Sequence, residues 1–465
     1  MKITFNGAAQ TVTGSQYLVE VNGRKILLEC GLFQGRRDDT YRQNLTFRFP
    51  LRDLDAVVLS HAHIDHSGNL PNLIKNGYEK FIFATPATAE LTDLMVRDSG
   101  HIQEADVAFV NNKRQRRGLP PVEPLYTLAD AEHVKNHLRP KEYGQEFEPI
   151  PGVRVHFVDA GHILGSAGVV LDVQEKGRSF RFWFSGDIGR PNLPLLRDPV
   201  LPENADYLMM ESTYGDKPHR DPAQAYEEFR QVVMRTAQRG GKVIIPAFSV
   251  GRTQEIVFSL NEMISHGDLP RLPVFVDSPL AVNASEIFSQ FAPLFDAETQ
   301  QFIREQRHPA LEFPGLTYVR SVDESKRIND LQGPLVIISA SGMAETGRIL
   351  HHLRNNIENP RNTVMIVSWQ APDTLGRRLA EQQPWVNIFG ERYTRRAEVA
   401  TIGGLSAHAG QDVLLRYAQA SRASLKKIIL IHGEPDAAGA LTEKLKEAGA
   451  PPIDYPALGD EITLE

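Results

Sequence analysis

A single cysteine, Cys30, stands in 465 residues. It cannot form an internal disulfide, and no thiolate metal site can be built from it, so disulfide frameworks and cysteine-zinc modules are excluded. Long apolar runs are also missing: nothing approaches the roughly 20 residues that span a bilayer. Met1 to Val12 alternates polar and apolar residues and lacks the charged-then-apolar layout of a signal peptide. These features predict a cytoplasmic protein with no membrane partner. Positive charge is short as well. A net charge of −7 argues against a chain that grips nucleic acid with its whole surface. A local basic groove is still compatible with that average, and Lys113-Arg114-Gln115-Arg116-Arg117 is one dense basic cluster. Taken alone, the cluster reads as a solvated face.

What is present fits a globular chain of two or three packing units, with 41% hydrophobic and 23% charged residues. Apolar runs of strand length occur at Lys25–Leu28, Ala56–Leu59, Phe81–Ala84, Val153–Val158, Gly168–Val173 and Phe180–Phe184. Between Thr85 and His137 the pattern turns helical, interrupted at Gly118-Leu119-Pro120-Pro121. After Glu211 the texture becomes βα alternation, with helical periodicity at Pro222–Gln238 and Thr253–Ser265. Apolar runs stand at Lys242–Pro246, Val274–Asp277, Leu335–Ala340 and Thr363–Trp369. Such alternation predicts a mostly parallel sheet covered by helices. Arg392–Arg396 reads as a crossing back, Lys426–His432 as a last strand ending in histidine, and Glu434–Ala448 as a helix.

The chemistry concentrates at strand ends. His61-Ala62-His63-Ile64-Asp65-His66 places three imidazoles and a carboxylate directly after Ala56–Leu59. One such histidine is ordinarily a hydrogen-bonding residue, but four metal-ligating groups in six residues are rarely structural. His162 follows Val153–Val158, Asp187 follows Phe182–Phe184, and His432 ends the last strand. Each alone is an ordinary strand-end polar residue; together with the first cluster they make up the donors of a dinuclear hydrolase.

This set resembles the metallo-β-lactamase superfamily, which implies an α/β fold: an αββα sandwich with two zinc ions at one edge of its sheets. Carried over residue by residue, His61, His63 and His162 hold one metal, Asp65, His66 and His432 hold the second, and Asp187 bridges them. Manganese suits the same imidazole and carboxylate donors. One position departs from the pattern. Before Cys30-Gly31 the family usually has an aspartate that orients a ligand histidine, and this chain has Glu29, one methylene longer. Its role then depends on whether the backbone gives way.

Three further stretches resemble the β-CASP nucleases of that superfamily. Met209-Met210-Glu211-Ser212-Thr213-Tyr214-Gly215, Leu405-Ser406-Ala407-His408-Ala409 and the strand-end His432 match the motifs named A, B and C. Pro246–Glu255 and Ser341-Gly342-Met343-Ala344 through Gly347-Arg348 match internal signatures. The resemblance covers nearly the whole chain and is similar to ribonuclease J and the cleavage and polyadenylation endonuclease subunit, in short prokaryotic form. It implies a first part of the metallo-β-lactamase domain over 1–212, an inserted β-CASP α/β domain over 213–395 and a return over 396–465. A histidine at motif C points to RNA, single-stranded, as substrate.

The expected reaction is hydrolysis of RNA phosphodiesters to 5′-phosphate and 3′-hydroxyl ends. Asp65 aligns the attacking hydroxide, and His408 is the general acid, oriented by Glu211. Ser341 and Gly342, in a turn after a strand, and the side chains of Arg252 and Arg348 are candidate phosphate contacts. Each arginine reads equally well as half of a structural ion pair, and Lys113–Arg117 as either an extension of the RNA track or surface. Two rivals from other classes remain: a small-molecule hydrolase (lactonase or thioesterase) and a non-catalytic RNA-binding scaffold. A DNA nuclease of the same family is a third. Endonucleolytic and 5′ exonucleolytic modes, and a homo-oligomer, stay open.

Overall fold

The computed structural model describes residues 1–35 and 37–465. By contact density the chain forms two units. The first comprises Met1–Pro191, Asp198–Pro218 and Ala407–Glu465, and the second Asn192–Arg197 with His219–Ser406.

In the first unit, two seven-stranded sheets face each other. One runs in the order Glu461–Thr463, Lys2–Gly7, Gln16–Val21, Arg24–Leu28, Ala56–Val58, Phe81–Ala84, Leu138–Pro140. The other runs Ile453–Asp454, Lys427–Ile431, Tyr207–Glu211, Arg178–Phe184, Ala167–Glu175, Val153–Asp159, Phe147–Ile150. Side chains alternate faces along a strand, which lets one strand serve two cores. Val169, Leu171 and Val173 join Ile3, Phe5, Val19, Ile26 and Leu28 between the sheets. Val170, from the same strand, points the other way, where Trp183, Leu208 and Leu430 pack on Leu414, Tyr417, Leu441 and Leu445 of two helices. Behind the first sheet, Leu27, Val57 and Ile82 bury Leu70, Leu73, Ala89 and Val96. Helix, sheet, sheet and helix therefore stack as the αββα sandwich that the motifs imply.

Strand direction decides where the polar groups gather. Arg24–Leu28 is parallel to Ala56–Val58, and Arg178–Phe184, Tyr207–Glu211 and Lys427–Ile431 are mutually parallel. Val153–Asp159 runs with them, being separated by one antiparallel strand. The residues following these strands thus emerge at their carboxyl ends, which is where ligands collect in α/β folds.

The second unit is built on a parallel sheet in the order Leu316–Tyr318, Val274–Val276, Leu335–Ser339, Lys242–Pro246, Thr363–Ile366, Glu398–Thr401. Helices Pro222–Gln238 and Arg252–His266 lie where their periodicity places them. The segment around Arg392 differs from expectation. Glu391–Thr394 pairs with Trp385–Ile388 as a hairpin, and Glu398–Thr401 then joins the second sheet beside Thr363–Ile366. The first unit resumes at Ala407. No helix among the described residues is long and apolar enough to cross a membrane.

The loop His61–His66 is clasped by backbone bonds. Ser15 N donates to Asp65 O (2.8 Å), Cys30 N to His66 O (2.7 Å) and Leu32 N to Ile64 O (2.9 Å). The close fit requires Gly31, because a Cβ there would lie 1.6 Å from Asp65 O and 2.8 Å from His66 N. Gly31→Ala is expected to displace the loop, costing about 1–3 kcal/mol of stability and most of the bound metal. Calorimetry with elemental analysis checks this; a variant with unchanged melting temperature and metal content contradicts it.

Candidate metal centre

All the expected ligands meet at one edge of the first unit. Short helix Ile64–Ser67 begins right after His63 and turns Asp65 and His66 to the same side. His61 Nε2 lies 3.1 Å from His63 Nδ1, and His162 Nε2 lies 3.2 Å from that same nitrogen. Asp187 Oδ2 is 3.5 Å from His61 Nε2 and 3.6 Å from His162 Nε2. The second group is as tight: His66 Nε2 is 3.2 Å from His432 Nε2, and Asp65 Oδ2 is 3.7 Å and 3.4 Å from these two nitrogens. Asp187 Oδ2 also reaches His66 Nε2 at 3.4 Å, so one carboxylate borders both groups.

These donors fit a metal. Zinc–nitrogen bonds of ~2.0–2.1 Å in a tetrahedron put ligand atoms ~3.3 Å apart, which is the spacing found. Asp187 Oδ1 is buried without a hydrogen-bond partner, an arrangement that is costly unless a cation compensates it. Protonation points the same way. Burial, with neighbouring imidazoles, holds His61 and His162 well below the usual histidine range, and burial brings His63 down to about 4 despite Asp65 and Asp187. They are neutral at pH 7, the form that ligates. Burial works against ionising Asp65 and Asp187, but facing histidines outweigh it, holding Asp65 at about 2 and Asp187 well below the carboxylate range. His66 is the exception. Burial lowers it, yet Asp187 and Asp65 raise it well above the usual range, a field that a bound cation would oppose. The cluster is a metal-binding site.

The outer ring nitrogens explain the aim of the inner ones. His61 Nδ1 pairs with Ser60 Oγ at 2.9 Å. His432 Nδ1 donates to Thr213 Oγ1 at 3.1 Å, because that hydroxyl itself donates to His432 O at 3.0 Å. His66 Nδ1 faces Glu29 Oε2 at 3.4 Å. The His432 contact sets the tautomer that leaves its Nε2 unprotonated toward the centre, and the Ser60 and Glu29 contacts hold the His61 and His66 rings in place. Ser60 and Thr213 were missed in the sequence, where the only signal is a hydroxyl residue next to a strand end.

Glu29 combines its longer side chain with an unusual backbone conformation. Its φ is +65°, in the left-handed region that non-glycine residues rarely adopt. From there Oε1 accepts Ser60 N at 2.7 Å while Oε2 faces His66. Burial raises the Glu29 carboxyl, and the contacts with His66 and Ser60 pull it only partly back.

Glu211 and His408 adjoin the ligands. Although 197 residues apart, they meet because the chain's exit and return are pinned together. Tyr214 bridges Gly410, Gly189 bridges His408, and Gln411 bonds Lys217 O at 3.0 Å and Gly215 O at 2.7 Å. His408 Nδ1 donates to Glu211 at 3.0 Å, and its Nε2 is 3.8 Å from Asp187 Oδ2. Glu211 is fully buried and also accepts Ile188 N at 2.7 Å. Burial lowers the His408 pKa, but Glu211 and Asp187 override it and lift it to about 9, so its imidazole is protonated at pH 7.

The four expected phosphate contacts belong to the second unit, where the side chains of Arg252, Ser341 and Arg348 and the carbonyl of Gly342 make internal bonds. Arg252 is buried in an ion pair with Glu255. Arg348 pairs with the buried Asp277 at 2.7 Å and donates to Arg320 O at 2.7 Å. Asp277 also accepts His352 Nε2 at 2.6 Å, so Arg348 is part of a buried network. Ser341 Oγ accepts the amides of Glu345 and Thr346 at 3.1 and 3.2 Å, and Gly342 O accepts Gln370 Nε2 at 3.0 Å. For both arginines, the ion-pair alternative is the one the structure displays.

Family comparison agrees with this geometry. Residues 10–246 match the metallo-beta-lactamase superfamily, 253–379 the Beta-Casp domain, and 392–456 the Zn-dependent metallo-hydrolase RNA specificity domain. The chain is 38% identical over 450 residues to Ribonuclease TTHA0252 of Thermus thermophilus, covering 97% of each. The chain belongs to the β-CASP branch of the metallo-β-lactamase superfamily. This β-CASP chain is also 29% identical over 440 residues to an RNase J-like protein of Methanocaldococcus jannaschii, covering 93% of this chain and 92% of that one. It is 29% identical over 442 residues to Transcription termination factor FttA of the same organism, covering 93% of this chain and 67% of the relative. A crystal structure of a protein of unknown function from Enterococcus faecalis V583 shares the fold, with TM-score 0.56, 13% identity and coverage of 100% and 99%.

If Glu29 orients His66, Glu29→Gln should keep the fold and weaken metal binding about 10–100-fold. Competition with a chelating dye measures it, and unchanged affinity contradicts the role.

Proposed function

We propose that this chain is a metal-dependent ribonuclease that hydrolyses single-stranded RNA to 5′-phosphate and 3′-hydroxyl ends, using two zinc ions. Manganese is the alternative metal for the same donors. The observation that carries the reading is the Glu211–His408 pair, 3.0 Å apart, set beside a complete ligand set. The Thermus thermophilus relative is named a ribonuclease and matches this chain end to end, and the region from 392 to 456 matches an RNA specificity domain. Both support RNA as the substrate.

The residues divide the work. His61, His63 and His162 with Asp187 would hold one ion, and Asp65, His66 and His432 with Asp187 the other. Bound divalent cations lower the pKa of water toward neutrality and offset charge on a phosphate oxygen. Asp65, whose carboxylate is 22% exposed where the other carboxylates are sealed, orients the attacking water by accepting its hydrogen bond. Hydrolysis then needs a proton on the departing 3′ oxygen. His408 holds one on Nε2, because Glu211 fixes Nδ1–H and favours the imidazolium. Burial of Glu211 removes water as a competing partner, so the ring cannot swing away from it.

Purified protein should cleave labelled RNA but neither labelled DNA nor a lactone, and a chelator should abolish the cleavage. Cleavage confined to the lactone would sink the reading. His408→Ala should retain both ions and lose about 10²–10⁴-fold in rate. Normal cutting by that variant would remove His408 from the general-acid role.

A further inference from the structure

Helix Pro86–Gln115 does two unrelated things along its 30 residues. Its start is fixed to the metal centre's surroundings: Thr85 Oγ1 and Thr88 Oγ1 both donate to Gly165 O, at 2.7 and 2.8 Å, in the loop that carries His162. Buried residues run from Ala87 to Gly100 and then stop. Beyond Gly100 the helix continues for about four turns in which no residue is fully buried, although helices usually owe their stability to a packed face. Ile102 is 49% exposed, Phe109 60% and Leu119 47%.

The far end is nonetheless well built. Asn111 Nδ2 donates to Val122 O at 2.9 Å and Val122 N to Asn111 Oδ1 at 2.8 Å, while Arg114 Nε caps Pro120 O at 2.6 Å. These bonds tie the returning segment, Pro120 to Val122, to the helix. Its charge is one-sided. From Val107 to Val122 there is no aspartate or glutamate, and Lys113, Arg114, Arg116 and Arg117 all lie there, in a chain of net charge −7. None of the four pairs with a carboxylate among the described residues; Lys113 lies over the Phe109 ring, 4.2 Å from its centre. Cations at a helix C-terminus favour the dipole, but one or two suffice, and that role needs no exposed ring beside them.

We propose that this tip is a second contact site for single-stranded RNA, in which Lys113, Arg116 and Arg117 bind backbone phosphates and Phe109 stacks on a base. Unpaired cations next to an exposed aromatic ring are the chemistry that holds single strands without reading sequence. The proposal rests on RNA being the substrate and adds where its distal part is held. At 1.5 Å per residue, the helix carries the tip about 40 Å from its start beside the His162 loop. Only a strand long enough to cover that span gains from it.

The test compares Lys113→Ala/Arg116→Ala/Arg117→Ala, sparing Arg114, and separately Phe109→Ala. Binding of labelled RNA is read by fluorescence anisotropy in the His408→Ala background, with cleavage by the His408-containing chain scored in parallel. One RNA has about 30 nucleotides and one about 5, the latter too short for the span at ~3.4 Å or more per nucleotide. The triple variant should lose about tenfold or more in affinity for the long RNA and nothing for the short one. Its salt dependence, as log K against log salt, should flatten by about 2, three phosphates at ~0.7 each. Phe109→Ala should lose about tenfold on the long RNA alone. Equal loss on both RNAs, or none on the long one, overturns the proposal. So does a change from oligomer to monomer in sedimentation, which would assign the tip to a second copy of the chain. Tip-dependent binding of RNA that is never cleaved would leave the site standing and remove the ribonuclease reading instead. Circular dichroism controls for folding, which these solvent-facing residues do not support.

Discussion

Asp187 sits almost wholly out of water, with one carboxylate oxygen shared among histidines from several strand ends. Burying such a charge costs several kcal/mol unless other charges answer it. The fold answers with imidazoles that all project from carboxyl ends of strands running the same way. Because those strands belong to two facing sheets, the centre depends on how the sheets pack. Val169 and Leu171 against Ile26 and Leu28 are therefore as much a part of ligand geometry as the histidines themselves.

A second layer of contacts turns this convergence into a fixed chelate. Ser60, Glu29, Thr213 and Glu211 each take the outer nitrogen of a histidine. The first three hold the His61, His66 and His432 rings with Nε2 toward the centre. Glu211 lies against Nδ1 of His408 and favours a proton on that ring. In the proposed function the same device makes ligands of some histidines and an acid of another. The partners differ in kind: Ser60 and Thr213 are hydroxyls that add no charge, whereas the sealed carboxylates Glu29 and Glu211 favour imidazolium, which at His66 a bound cation would oppose.

Much of this was legible in the sequence because metal ligands and strand ends are local patterns. His61 to His66 could be read as one cluster, and helices such as Pro222–Gln238 lie where their periodicity places them. The pairing of Glu211 with His408 was legible only through family motifs, since nothing local links residues that far apart. What could not be read depends on backbone shape or on distant partners. Glu29 reaches His66 through a positive φ that its residue type disfavours. Arg348 is taken up by Asp277, which stands far from it in sequence. Glu391–Thr394 is a hairpin strand because Trp385–Ile388 precedes it, while its own residues resemble a connecting segment.

In the proposed function one buried carboxylate, Asp187, is shared by two metal ions. Anomalous X-ray diffraction from zinc-loaded crystals, collected across the zinc absorption edge, tests it directly. Two peaks should appear about 3.5–4 Å apart, one beside His61, His63 and His162 and one beside Asp65, His66 and His432, with Asp187 between them. A single peak at full zinc loading, or two peaks that leave Asp187 outside, would contradict the account.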